Sequence, residues 1–447
     1  MMSRSVLLAA ASVTVGLSAT AIAAPNTAGD DPSFTDTGLT SVPAVAGRGY
    51  QLEASVRTLY DSNILRTGDE VLQRPDSSKS DFRISPSVTA SVGVPVGRQQ
   101  IYLGGIIGRD FYLRNTRLNR NRYNIGGGVN LVAGNRCTGG VGIDFNSRQS
   151  LFSEEAEVVP NVQERLALGA SVTCQGPIGI GFGGSVRRFQ TRNKSAERNQ
   201  FDVDSLAVSP QISYGLGNIG RFSLSGTWNQ VSYPNRNVFL PGGGVTNDGA
   251  EIMNGRFGFQ RELGSRFSIS LGLSYLESMP DPSTIVQIFP APPPQVGFVG
   301  TEVVREKFSG LGYDANITYQ PSPRITSSLF AGRNSTASAN VGAQFQVQSN
   351  FGVDVDYRLG SSMTVGAGAT HNRRQYYNSF INVGDEGRRR IEDKINRVYA
   401  SIGYAPVKLY SVNLLLAYQD RQSNPEDLSF NSFSALLSLR LNFGRQS

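Results

Sequence analysis

The sequence predicts an all-β protein: a single transmembrane antiparallel β-barrel of about 18 strands (16–18), with short periplasmic turns and long extracellular loops. Three observations predict this fold. Segments alternate apolar and polar residues, tight turns alternate with long loops, and only 39% of the 447 residues are hydrophobic. After the N-terminal segment, no stretch approaches the eighteen consecutive apolar residues of a membrane helix, so strands rather than helices would cross the membrane.

The segment from residue 340 to residue 360 shows the alternation most fully. Odd-numbered positions such as Val341, Phe345, Val347 and Val353 are apolar. Successive side chains leave a strand on opposite faces, so this pattern predicts a long strand with one face toward lipid. The other face is polar and is predicted to line the lumen with Gln344, Gln346, Gln348, Asn350, Asp354, Asp356 and Arg358.

The same reading applied along the chain predicts an even number of strands, as bacterial single-chain barrels have. The predicted strands are 49–65, 82–94, 99–115, 121–133, 136–150, 160–175, 178–192, 201–215, 219–233, 250–262, 265–279, 302–319, 323–335, 339–359, 363–380, 390–405, 408–421 and 428–443.

The connections alternate in length. Tight turns such as "PVGR" at 95–98 and "LGSS" at 359–362 alternate with longer polar or proline-rich loops, for example "PNRNVFLPGGGVTNDGAE" and the segment 278–302. Short turns face the periplasm in such barrels, which places both chain ends on the periplasmic side.

Aromatic residues recur just before the tight turns, on the apolar parity. We expect them to form a periplasmic aromatic girdle at the lipid–water boundary. Its predicted members are Tyr214, Tyr319, Tyr357, Tyr404 and Phe443.

The N-terminus predicts export. Residues 1–23 combine Arg4, an apolar region and an Ala21-Ile22-Ala23 triplet, the pattern of a secretory signal peptide. Residues 24–46 are predicted to be a flexible periplasmic segment and residues 47–447 the outer-membrane barrel of a Gram-negative cell. The last strand, ending at Phe443, resembles the C-terminal signal that barrels present to their assembly machinery, which would be a partner together with outer-membrane lipid and lipopolysaccharide. "GRQS" after Phe443 departs from that signal.

The sequence offers little for catalysis. It contains one histidine, His371, on the apolar parity, whereas a zinc site or a Ser/His hydrolase needs several converging polar groups. We therefore expect no enzyme activity, no cofactor and no metal site. The sequence also lacks a nucleic-acid-binding fold, so no nucleic-acid partner is expected.

The two cysteines predict a disulfide. Cys137 begins one predicted strand and Cys174 ends the next, and the two face each other if the hairpin turns near residues 155–156. The oxidising periplasm favours a cross-strand bond over two free thiols, with a structural role.

Arginine dominates the positive charge, because only five of the 42 basic residues are lysines. Five arginines on the polar parity are predicted to point into the lumen: Arg57, Arg187, Arg358, Arg397 and Arg440. They could make the lumen selective for anions. Equally, they could hold inward carboxylates such as Glu53, Asp354 and Asp356, while loop arginines contact lipopolysaccharide.

The segment "RTLYDSNILRTGDEVLQRPDSSKSDFRISPSVTASV" at 57–92 resembles the outer-membrane β-barrel proteins encoded in exopolysaccharide and capsule clusters. That resemblance implies a role in the biosynthesis and export of a surface polysaccharide, as conduit or accessory, with polysaccharide export proteins and the polysaccharide itself as partners. The alternative is a general or anion-selective diffusion porin. A porin would carry an inward-folded loop with facing acidic and basic residues, whereas the candidate loop 278–302 is mainly proline and apolar.

Overall fold

The computed structural model describes residues 49–66, 68, 77–149, 161–290, 298–338, 343–378, 392–424 and 426–446. Twenty strands lie within these ranges: β1 (Gly49–Asp61), β2 (Asp81–Val96), β3 (Gln99–Tyr112), β4 (Arg120–Ala133), β5 (Cys137–Gln149), β6 (Val162–Cys174), β7 (Gly179–Asn193), β8 (Val203–Leu216), β9 (Gly220–Phe239), β10 (Val245–Leu263), β11 (Phe267–Asp281), β12 (Thr284–Pro290), β13 (Phe298–Val304), β14 (Phe308–Ser322), β15 (Ile325–Ala337), β16 (Phe345–Leu359), β17 (Met363–Tyr377), β18 (Glu392–Val407), β19 (Tyr410–Asn424) and β20 (Phe430–Gln446). In this part of the chain no helix is long and apolar enough to cross a membrane.

Eighteen of these strands close one antiparallel barrel, and the predicted fold class is confirmed. The barrel closes where β1 pairs with β20, from Gly49 opposite Gln446 to Asp61 opposite Ser434. β11 pairs directly with β14, so β12 and β13 lie outside the ring as a hairpin of the extracellular connection. The predicted signal peptide 1–23 and segment 24–46 lie outside the described residues.

Large apolar side chains remain exposed on the outer face of the ring. Leu103, Phe182 and Leu311, for example, keep 58%, 64% and 61% of their surface accessible. Such a surface is stable only against lipid, and a closed barrel leaves no unpaired strand edge in the bilayer. The chain is therefore a multi-pass β-barrel of the outer membrane.

The turns and loops alternate in length around the ring. Tight turns follow β2, β4 and each later strand whose end faces the periplasm, and two of them place Gly97 and Gly360 at φ +63° and +69°, where a side chain would be strained. Both ends of the barrel chain lie on the same side as these turns. Cys137 and Cys174 are register partners near this side and form the predicted disulfide.

Three differences from the predicted boundaries matter most, all on the extracellular side. The loop "PNRNVFLPGGGVTNDGAE" is largely strand, because β9 and β10 continue past a bulge between Asn247 and Asp248. The predicted strand 302–319 is divided into β13 and β14. Between them Arg305 bonds buried Asp248, which draws the chain out of the ladder. The predicted strand 339–359 begins at Phe345, and residues 339–342 lie outside the described part.

Candidate pore and its extracellular mouth

The predicted lumen residues lie on the inward face of their strands, but they differ in how far their side chains are buried. Arg57 and Arg397 are buried, with 6% and 5% of their surface exposed. Arg187 and Arg440 are exposed. Arg187 lies on the inward face of β7. Its neighbour Arg188 lies on the outward face, together with the exposed apolar residues of that strand.

The predicted polar face of β16 is divided between two environments. Asn350 and Asp354 are half-buried, and Asp356 and Arg358 are exposed toward the periplasmic end. Asp354 accepts a hydrogen bond from the Tyr399 hydroxyl. At the extracellular end the three glutamines are instead fully buried: Gln344, Gln346 and Gln348.

The extracellular ends of β15 and β16 are turned into the barrel mouth. We refer to residues 335–338 and 343–348 as the inturned segment. Phe345 and Val347 have the parity of the lipid-facing residues of β16, yet they are 0% and 1% exposed. They belong to one apolar cluster with inward-facing residues of β8–β11, including Val203, Val231, Tyr233, Ala250, Ile252 and Leu276. The outer face of the β16 end therefore packs against the inner face of β8–β11.

Hydrogen bonds hold the inturned segment to that wall. The Tyr233 hydroxyl donates to the carbonyl oxygens of Gln344 (2.6 Å) and Ser338 (2.9 Å). The hydroxyls of Ser278 and Ser335 lie 2.6 Å apart.

Asp248 is the charged anchor of the inturned segment. This carboxylate is fully buried and accepts from Arg305 Nη1 at 2.8 Å, Arg236 Nη1 at 3.3 Å and Gln344 Nε2 at 2.6 Å. Arg236 also donates to the Ala343 carbonyl oxygen at 3.3 Å. Burial lowers the pKa of Arg305, and the charge of Asp248 opposes that shift. One carboxylate thus joins β9, β10, the β13–β14 connection and the inturned segment.

The other side of the lumen is basic. Six buried arginines, which we call the arginine wall, lie on the inward parity of β17–β19, β1, β2 and β4: Arg374, Arg397, Arg421, Arg57, Arg83 and Arg122. Aspartates partly balance them; Asp393 accepts from Arg421 at 2.7 Å. In the described residues as a whole, ten arginines but only six aspartates are buried. Positive groups therefore outnumber negative groups among these buried residues.

Sequence reasoning missed most of these groups. Arg374, Arg421, Arg83 and Arg122 show the same polar parity that identified Arg57, so extending that test to every strand would have found them. Asp248, by contrast, lies in what reads as a loop, and its partners are 12, 57 and 96 positions away along the chain. No local pattern indicates that contact.

The remaining predicted residues lie on the outer face. The five girdle positions are exposed near the periplasmic ends of their strands, from 37% for Tyr357 to 48% for Tyr319. His371 stacks on Phe351, with ring centroids 4.9 Å apart, and its Nδ1 lies 2.7 Å from Asn396 Oδ1. Among the described residues no cluster of acidic, histidine or cysteine side chains could hold a metal ion. The absence of enzyme activity stays a prediction.

Residues 296–443, a third of the chain, match the model of a family described as "Putative beta-barrel porin 2". Comparison with curated proteins finds no match. Among solved structures, the chain is similar to the outer membrane protein opdK from Pseudomonas aeruginosa (TM-score 0.45, 10% identity, 88% of this chain and 99% of that one). It is also similar to a BenF-like porin from Pseudomonas fluorescens Pf-5, with a TM-score of 0.43 and 10% identity over 88% of this chain and 99% of that one. These structural similarities are too weak to carry an argument about this chain.

Proposed function

We propose that the protein is an outer-membrane diffusion channel that favours small anions. The observation that carries this proposal is the buried charge of the interior, ten arginines against six aspartates among the described residues. A fixed positive potential in a low-dielectric passage concentrates anions and repels cations. The partial match to a porin family supports the channel class.

The passage would run between the arginine wall and the inner face of the inturned segment. Gln346 and Gln348 face inward from that segment, and each has a side-chain oxygen without a hydrogen-bond partner within the described structure. Buried amide oxygens of this kind are satisfied by water in a hydrated channel. Guanidinium groups nearby, among them Arg374 as the register partner of Gln348, can bind a carboxylate through paired hydrogen bonds. We therefore place the selective part of the channel in its extracellular half.

The expected exopolysaccharide role gains no support from the family match, and the porin alternative fits better. The loop 278–302 is mainly proline and apolar and lacks the facing charges of a porin constriction loop. The structure supplies an inward-folded element elsewhere, at the ends of β15 and β16, and sets it beside the buried charges of Asp248, Arg236 and Arg305. That element answers this objection to a porin.

Solute permeation tests the proposal. Proteoliposomes would be assayed by swelling with glucose, glucosamine and glucuronate, which have similar size but different charge. We expect glucuronate to enter at least threefold faster than glucosamine. Faster entry of glucosamine, or no swelling with any of the three solutes, would refute the proposal.

Adjacent residues of β7 provide a matched pair of variants. Arg187→Glu reverses a charge on the inward parity and should reduce the preference for glucuronate. Arg188→Glu makes the same change on the outer face and should leave the preference unchanged. Equal effects of the two variants would show that the preference arises from surface charge rather than from the lumen.

A further inference from the structure

An apolar groove crosses the outer face of the barrel between β19 and β4. Its volume is about 860 Å³, and most of its lining residues share the lipid-facing parity, among them Val56, Val88, Ile107 and Leu439. These four side chains are 42%, 50%, 58% and 47% exposed, so protein does not cover them.

Small residues form the floor of the groove. Ala54 and Pro86 take outward positions that carry larger side chains elsewhere on these strands. Pro86 pairs with Val56 on β1, but the ladder between β2 and β3 passes from Ile84–Phe111 directly to Ser87–Gly108. The wall is therefore recessed at the level of Pro86, where a bulkier outward residue would have filled the space.

Polar groups stand at the extracellular end of this groove. Arg109, three residues before the end of β3, points outward and is exposed. It is the register partner of Asn121, and its guanidinium carbon lies 5.0 Å from the centroid of the Phe111 ring. Tyr123, also on the outward parity, pairs with Ile107. Three hydrogen-bond donors therefore lie together at the outer edge of an apolar surface.

Arg109 differs from other outward cations at this end of the barrel. Arg192 pairs with Asp204 at 2.6 Å, and Arg373 pairs with Glu392 at 2.7 Å. Among the described residues no carboxylate lies within ion-pair distance of Arg109. In this part of the chain the contact described for the Arg109 guanidinium is with the Phe111 ring.

We infer that this groove binds a phosphorylated glycolipid of the outer leaflet, with an acyl chain along Val56, Val88 and Leu439 and a phosphate at Arg109. The polarity of the site selects this occupant. Arg109 lies at the extracellular end, so the headgroup must belong to the outer leaflet, where the phosphates of lipid A provide the anion. A basic group above a membrane-facing apolar recess is the general arrangement of lipid-specific sites. The inference does not depend on the channel proposal.

Native mass spectrometry of the full-length protein in detergent tests the inference, with bis-phosphorylated lipid A as the probe. We expect a one-to-one complex whose apparent Kd rises at least fivefold in Arg109→Gln and also in Ala54→Trp, which fills the groove. Matched controls are Arg188→Gln on β7 and Ala170→Trp on β6, two outward positions away from the groove. The controls should bind like the unaltered protein.

Four other outcomes would overturn the inference or one of its parts. Equal losses in the control variants would show unspecific annular lipid and overturn the site. Unchanged binding in Ala54→Trp would show that no acyl chain lies in the groove. Equal binding of dephosphorylated lipid A would show that no phosphate contacts Arg109. Equal affinity for phosphatidylglycerol would overturn the choice of a glycolipid. Heat-dependent migration on gels verifies that each variant is a folded barrel.

Discussion

At the scale of single residues, the buried carboxylate of Asp248 joins more parts of the mouth than its own strand: it contacts β9, the β13–β14 connection and the inturned segment. Two arginines and one glutamine converge on it where no solvent reaches. Burying three charges is costly, and such a group stabilises the structure only while all partners are present. The inturned segment is therefore held by an arrangement that tolerates no single deletion.

Replacing Asp248 by Asn should lower the free energy of unfolding by about 3–5 kcal/mol, because the charges of Arg236 and Arg305 would remain buried without their carboxylate. The measurement is urea unfolding in detergent. Asp204→Asn is the control: it breaks the partly exposed pair with Arg192 and should cost about 1 kcal/mol or less. Equal losses in the two variants would show that Asp248 does not anchor the mouth.

At the scale of elements, β16 has two halves with different surroundings. From Phe351 to Leu359 its odd residues are exposed to lipid, whereas Phe345 and Val347 on the same parity are covered by the inner face of β8–β11. Packing of these side chains, in addition to the hydrogen bonds, keeps the inturned segment inside the mouth. A segment so placed occupies part of the barrel mouth and would narrow the proposed passage.

Loss of this packing should widen the channel. The double variant Phe345→Ala and Val347→Ala removes apolar contacts worth several kcal/mol and should raise single-channel conductance by about twofold or more. Phe351→Ala is the matched control, since the same strand and parity there face lipid. If conductance rises equally in the control, or in neither, the segment does not restrict the pore.

The β5–β6 hairpin contributes a second, covalent constraint. Replacing Cys137 and Cys174 by Ser should lower the free energy of unfolding by about 2–4 kcal/mol, because the disulfide restricts the unfolded chain. The strand ladder should persist, so the barrel still forms. Urea unfolding with and without reductant checks this prediction: reductant should destabilise the unaltered protein but not the variant. An equal response of both would contradict it.

At the scale of the whole molecule, the sequence was sufficient to predict the ring. All eighteen barrel strands were expected, since a strand between lipid and a polar interior must alternate. Where both faces of a strand are buried, as at Phe345 and Gln346, the alternation no longer indicates which face contacts lipid. The Asp248 cluster could not be predicted from the sequence either, because its residues are far apart along the chain and come together only when the barrel closes.

The arrangement of charge follows from that closure as well. The arginine wall combines strands from both ends of the chain, and β1 meets β20 within it. The six arginines come from six different strands, and the closed ring collects them on one side of the lumen. The proposed anion selectivity would therefore be a property of the assembled barrel rather than of one motif.

The most direct test of this account is the reversal potential of the purified protein in a planar bilayer under a tenfold gradient of KCl. We predict a stable conductance with a reversal potential of the sign that preferential chloride permeation produces. A reversal potential with the sign of potassium preference, or a folded protein that does not conduct, would contradict it.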